Sequence, residues 1–116
     1  MAIHNQYGIE AENLALVYLQ KQGYSLLLKN FSSREGEIDL VMENKEVLVF
    51  VEVRSLKKAG SIHPLEALSR GKLLRIVKTA RYFLAKHPTD KNIRFDLVLV
   101  LGQKPKIEHF QNIIEA

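Results

Sequence analysis

Residues 47–53 read Val-Leu-Val-Phe-Val-Glu-Val, apolar at every position but one. A strand with one face in water alternates apolar and polar side chains, so a near-continuous run belongs to a central strand covered on both faces. That requirement excludes a helix bundle and a simple barrel, and it calls for a sheet with a helix layer on each side. Glu52 interrupts the run. A carboxylate buried without a partner is strongly unfavourable, so the site must bring a cation to it, from the protein or as a metal.

The rest of the chain supplies the layers. From about Tyr7 to Gln22 the pattern is helical, with Tyr7, Ala11, Leu14, Ala15, Tyr18 and Leu19 on one arc. Gly23 stands where a left-handed residue ends such a helix. Tyr24–Asn30 reads as a short strand. Gly36 precedes a second, Glu37–Glu43, and Asn44-Lys45 marks the tip of a hairpin leading into the central strand Glu46–Arg54. Ser69 is a candidate N-cap for a helix running to about Lys86, which Pro88 terminates. Ile93–Leu101 is a further strong strand, and Lys106–Phe110 can pair with it beyond the Gly102–Pro105 turn. The order αβββαβ, with a short terminal strand, predicts an α/β fold: one domain over residues 1–116, with a mixed central sheet flanked by helices.

Composition narrows the chemistry. The chain contains no cysteine, which removes disulfide scaffolds, thiolate zinc sites and cysteine nucleophiles. Its apolar runs are too short to span a bilayer, and Glu10 and Glu12 break the stretch a signal peptide would need, so a cytoplasmic protein is expected. Charge is unevenly placed. Residues 1–53 carry four basic side chains against eight acidic, whereas residues 54–106 carry thirteen against three. A basic half invites a nucleic-acid partner, since lysine and arginine meet phosphates, although a clustered solvated surface would look the same.

Asp39 repeats the anomaly of Glu52 on the neighbouring strand. If the Asn44-Lys45 tip closes the hairpin, partners sum to about 89, so Asp39 lies opposite Phe50 and diagonal to Glu52 on the same face. Two carboxylates without histidine or cysteine make an all-oxygen site, which suits Mg²⁺ or Mn²⁺. The alternative is a structural network in which Asp39 and Glu52 pair with Arg54, Lys72 or Arg94. On the second helix Leu73, Ile76, Val77, Ala80, Phe83 and Leu84 form the core stripe, and Arg75, Lys78 and Arg81 lie on the opposite side, as a solvated face or a binding surface. Lys72 stands at the border of that stripe in the first turn. Glu12 occupies a similar border on the first helix.

At these residues a resemblance emerges. Gly36-Glu37-Ile38-Asp39-Leu40 and Phe50-Val51-Glu52-Val53-Arg54 resemble the core motifs of the restriction-endonuclease-like PD-(D/E)XK superfamily. The whole chain resembles the YraN-type family of small bacterial predicted endonucleases. That match runs from Gly8-x-x-Ala11-Glu12-x-x-Ala15 through Gly23-Tyr24 and Asn30 to the two core motifs, then to Pro64-x-Glu66-Ala67, Lys72 and Arg94-Phe95-Asp96.

The resemblance implies the αβββαβ nuclease core and a Mg²⁺ or Mn²⁺ ion held by Asp39 and Glu52, with the Val53 backbone carbonyl completing the ligand set. It places Glu12 at the position of a first-helix glutamate that related Holliday-junction resolvases use near the metal. Arg54 stands where the superfamily has lysine. An arginine stays charged and cannot act as a general base, but it can bind a phosphate oxygen or orient water. Lys72 can then supply the mobile ammonium. The expected activity is endonucleolytic hydrolysis of DNA or RNA by Asp39, Glu52, Arg54, Lys72 and Glu12, with Arg54, Lys57, Lys58 and Lys72 on the phosphate backbone. A homodimer is compatible with cutting two strands. The alternative is an inactive nuclease-fold domain that binds nucleic acid or a protein partner without cutting.

Overall fold

In the computed structural model, residues 6–56, 68–102, 104 and 106–114 are described. The elements are α1 (Gln6–Lys21), β1 (Ser25–Ser32), β2 (Glu37–Glu43), β3 (Val47–Leu56), α2 (Arg70–Lys86), β4 (Asn92–Leu101) and β5 (Lys106–Phe110). They form one five-stranded sheet in the order β1-β2-β3-β4-β5. All pairs are antiparallel except β3 with β4, which run parallel on either side of the α2 crossover. The expected mixed sheet with a helix on each face is therefore present.

The apolar run accounts for that arrangement. Val47, Val49, Val51 and Val53 point to one face, where they pack with Leu40, Met42, Val98 and Val100 beneath Ala11, Ala15 and Leu19 of α1. Leu48 and Phe50 point to the other, against Ile76, Ala80 and Phe83 of α2. Burying a side chain such as Phe50 contributes about 1.5–3 kcal/mol, so both helices are tied to the same central strand.

α1 ends as its sequence predicts. Gly23 adopts φ +97°, Tyr24 N–H donates to Leu19 O (3.1 Å), and Gly23 N–H donates to Gln20 O (3.0 Å). Those two bonds satisfy the last carbonyls of the helix. The buried arc of α1 differs from the expected one. Leu14 is 41% exposed, while Glu12 is only 8% exposed, because the two alanines let the helix seat with Ala11, Ala15 and Leu19 inward and rotate its buried side toward Glu12.

The hairpin register also differs. Leu40 faces Val51, Val41 faces Phe50 and Glu43 faces Leu48, so partners sum to 91 rather than 89. The cause is Asn44. Its Oδ1 accepts from the backbone N–H of both Glu46 and Val47 (2.9 Å each), and its own N–H donates to Val47 O (3.0 Å). The loop is thus Lys45-Glu46, closed by the Asn44 side chain. On the other face of the sheet, Ser69 caps α2 by accepting from Lys72 N–H at 3.1 Å, which fixes the first turn.

Candidate metal and phosphate site

The backbone pairing of β2 with β3 stops at Leu40 and Val51. Beyond that pair the strands part, and the next residues, Asp39 and Glu52, bring their carboxylates together at the mouth of a cleft of about 490 Å³. The corrected register moves Asp39 from a diagonal position to one directly beside Glu52. Asp39 Oδ2 accepts the backbone N–H of Val53 at 2.7 Å, replacing a main-chain partner where the sheet opens. Glu52 is 6% exposed and Asp39 9%.

Cations approach from one side. Lys72 Nζ lies 3.6 Å and Arg54 Nε 3.7 Å from Glu52 Oε1, and both side chains remain about one-third exposed (35% and 34%). These distances exceed a hydrogen bond. Glu52 Oε2 and Arg54 Nε are buried without a hydrogen-bond partner among the described residues. Burial first, then the charge of Asp39 and a hydrogen bond to it, push the Glu52 carboxyl up to about 8, against the opposing pull of Lys72 and Arg54. The Glu52 carboxyl therefore favours its neutral form at neutral pH.

The cleft also collects residues from α1 and from the end of β1. Gly8, Ala11 and Glu12 line one wall, while Lys72, Arg75 and Ile76 line the other. Asn30, in the left-handed region at φ 51°, donates its side-chain nitrogen to Glu12 Oε1 and Glu37 Oε1, each at 3.1 Å, in the amide orientation that satisfies both. Asparagine tolerates that backbone better than most residues and brings two donors to the site. Ser32 Oγ donates to Glu37 Oε2 at 3.4 Å.

The structure thus brings Glu12, Asp39, Glu52, Val53, Arg54 and Lys72 into one cleft. Lys57 and Lys58 lie outside the described residues. Arg94 is not a partner of Asp39 or Glu52. It grips Asp96 with Nε and Nη2 (2.9 and 2.8 Å) and donates to Tyr24 Oη at 2.6 Å. Asp96 also hydrogen-bonds His109 Nε2 at 2.8 Å and accepts from Asn112 N–H at 3.0 Å. This network is structural: burial alone would raise the Asp96 carboxyl, but the bonds from His109, Arg94 and Asn112 outweigh it and hold it below its ordinary value.

Two cleft residues escaped the sequence reading. Helical angle puts Arg75 on the outward side, yet it lines the cleft, and Gly36 brings the β1–β2 loop so close that an added Cβ would lie 3.3 Å from the Arg75 Cβ. Glu37 stands in the Gly36–Leu40 motif, but nothing in the sequence assigns it to the cleft it lines. Among the described residues, no group of three or more His, Asp or Glu side chains closes on a point as a metal cage. An ion here would take two carboxylates, a backbone oxygen and water, the hydrated arrangement Mg²⁺ prefers. No described helix is long and apolar enough to cross a membrane.

The chain is similar along nearly its whole length to bacterial proteins of one family. It is 41% identical over 117 aligned positions to a UPF0102 protein of Coxiella burnetii (strain RSA 493 / Nine Mile phase I), covering 99% of this chain and 97% of that one. Identity is 38% over 109 positions to UPF0102 proteins of Persephonella marina and Nitrosomonas europaea, covering 93% of this chain and 92% of each of theirs. Residues 11–100, which include Glu12, Asp39, Glu52, Arg54 and Lys72, match the same family, and the chain belongs to the uncharacterised protein family UPF0102.

Proposed function

We propose that this protein is a metal-dependent nuclease of the restriction-endonuclease-like kind, hydrolysing phosphodiester bonds in DNA or RNA. One observation carries the reading: the Asp39 and Glu52 carboxylates lie buried together at the open end of the sheet, with Lys72 and Arg54 on the same cleft.

The residues fit a hard divalent cation. The donors are oxygens, no described N–H or hydroxyl donor reaches the buried Glu52 Oε2, and the crowding of Glu52 with Asp39 is what a cation would relieve. Asp39 and Glu52, with the Val53 carbonyl, would hold Mg²⁺ or Mn²⁺, and Glu12 stands on the α1 wall of the same cleft. When bound, such an ion supplies Lewis-acid stabilisation of phosphoryl oxygens and a lowered pKa for water.

The chain's own groups divide the remaining work. Lys72, fixed in the first turn of α2 by the Ser69 cap, presents a mobile ammonium to a non-bridging phosphate oxygen. Arg54 remains charged through the reaction, so it binds phosphate or orients water but does not take the proton from it. Asn30 holds Glu12 of α1 and Glu37 of β2 in place, keeping two further carboxylates at the cleft.

The test is Mg²⁺- or Mn²⁺-dependent cleavage of single-stranded, flapped and branched substrates by the wild type, Asp39→Ala and Glu52→Ala. Cleavage by the wild type, abolished by EDTA and by either substitution, is expected. Activity that survives both substitutions overturns the assignment. Arg54, which stands in the place of a lysine and cannot act as a general base, favours a second reading in which the domain binds nucleic acid without cutting. That reading predicts salt-sensitive binding indifferent to EDTA and no hydrolysis.

A further inference from the structure

The outward face of α2 continues from the cleft. Arg75, which lines it, is followed along the same side of the helix by Lys78 and Tyr82, at i+3 and i+7. Lys78, Arg81, Tyr82 and Ala85 line a second groove together with Glu35 of the β1–β2 loop. Tyr82 is 46% exposed, so an aromatic side chain stands open in the same groove as two cations.

The groove has a fixed wall. Ser33 Oγ and Thr79 Oγ1 are 3.0 Å apart, Thr79 Oγ1 donates to Arg75 O at 2.8 Å, and Glu35 N–H donates to Ser33 Oγ at 3.1 Å. Thr79 is fully buried, a polar residue inside the α2 stripe that anchors the loop to the helix. Lys78 Nζ lies 4.0 Å from Glu35 Oε2, an exposed pair that a phosphate can displace. From Arg75 to Tyr82 the helix advances about 10 Å, so the groove begins close beside the cleft.

We infer that this groove takes the single-stranded nucleic-acid tail adjoining the scissile bond, with one base stacked on Tyr82 and phosphates on Lys78 and Arg81. The inference rests on the nuclease reading of the cleft for its direction, and it adds the strandedness of the substrate. An exposed aromatic side chain beside cations suits an unstacked base, since every base offers a π-face and a duplex keeps its bases inside. Glu35 opposes phosphate in the groove and holds Lys78 until a strand arrives.

Binding of fluorescein-labelled oligo-dT, oligo-rU and a duplex of equal length, read by anisotropy in EDTA, tests this apart from cleavage. Inorganic polyphosphate as competitor separates stacking from charge. Tyr82→Ala should weaken both single strands about tenfold, within the range for one stacked base, while Tyr82→Phe restores them. Lys78→Ala should lower the salt slope by about 0.7. Glu35→Gln should tighten binding, and polyphosphate competition should be the same for Tyr82→Ala as for wild type. The dT and rU arms show which sugar is preferred.

Wild-type affinity in Tyr82→Ala, an equal loss toward polyphosphate, or tighter binding of the duplex than of either strand overturns the groove assignment. Asp39→Ala, measured alongside, keeps the two proposals apart. If it loses metal-dependent cleavage while Tyr82→Ala binds as wild type, the nuclease reading stands and the groove fails. If nothing cleaves but the Tyr82 pattern is as expected, the groove stands as a binding site and the nuclease reading fails.

Discussion

Replacing Glu52 with glutamine should stabilise the metal-free protein at neutral and higher pH. In the fold the Glu52 carboxyl titrates at about 8 instead of 4.5, because it is buried beside Asp39. A native state that binds the proton more tightly gains stability from it below pH 4.5, and that stability is lost as pH rises toward 8. Each pH unit within the window is worth about 1.4 kcal/mol, so from pH 5 to pH 7 the group removes on the order of 2–3 kcal/mol. Glutamine keeps a donor toward Asp39 without a proton to lose. It forfeits the attraction to Lys72 and Arg54, but both are one-third exposed and lie beyond hydrogen-bond distance, so each loss is about 1 kcal/mol or less. Urea unfolding followed by circular dichroism in EDTA, at intervals from pH 5 to 8, measures the difference. The Glu52→Gln advantage should grow across that range. A difference independent of pH, or a variant less stable at every pH, would refute the argument that the Glu52 carboxyl favours its neutral form.

Other expectations follow from the supporting residues. Asp96→Ala should destabilise by about 3 kcal/mol or more, because it strands Arg94 and His109 beside an empty site. The Asp96 carboxyl titrates below its unfolded value, so its contribution is present above pH 4 and is lost as pH falls through the native value. The wild type should therefore show an acid limb that Asp96→Asn flattens, read by denaturant titration at low pH. Asn30→Gly should keep the left-handed backbone and lose only the amide bridge to Glu12 and Glu37, whereas Asn30→Ala should be about 1 kcal/mol less stable than Asn30→Gly by thermal unfolding.

The sheet was legible because its signals are local and redundant. The run from Val47 to Val53 announces a two-sided strand, Gly23 and Ser69 mark helix ends, and the elements between them follow. The register was not legible, because it depends on a side chain: Asn44 accepts two backbone donors and moves the turn by one residue, which shifts pairing by two. That shift places Asp39 beside Glu52 and tightens the candidate site beyond what alternation alone suggests.

Glu52 and Asp39 stood out as acids in apolar strands. By helical angle Glu12 is a border residue, and the resemblance alone points to it; its burial depends on how closely two alanines let α1 approach. Arg75 faces outward by helical angle. It reaches the cleft through the nearby Gly36 loop, a tertiary contact that periodicity does not encode. Arg94, a nominal partner for the acids by charge, is claimed instead by Asp96, its neighbour two residues on along β4.

The central claim is that Asp39 and Glu52 form a divalent-cation site at the open end of the sheet. A crystal grown near pH 8 and soaked in Mn²⁺ tests it directly through anomalous scattering. An anomalous peak between the Asp39 and Glu52 carboxylates, absent from Glu52→Gln crystals treated alike, is the predicted result. A wild-type crystal with no peak there, or with Mn²⁺ only elsewhere on the protein, would contradict it.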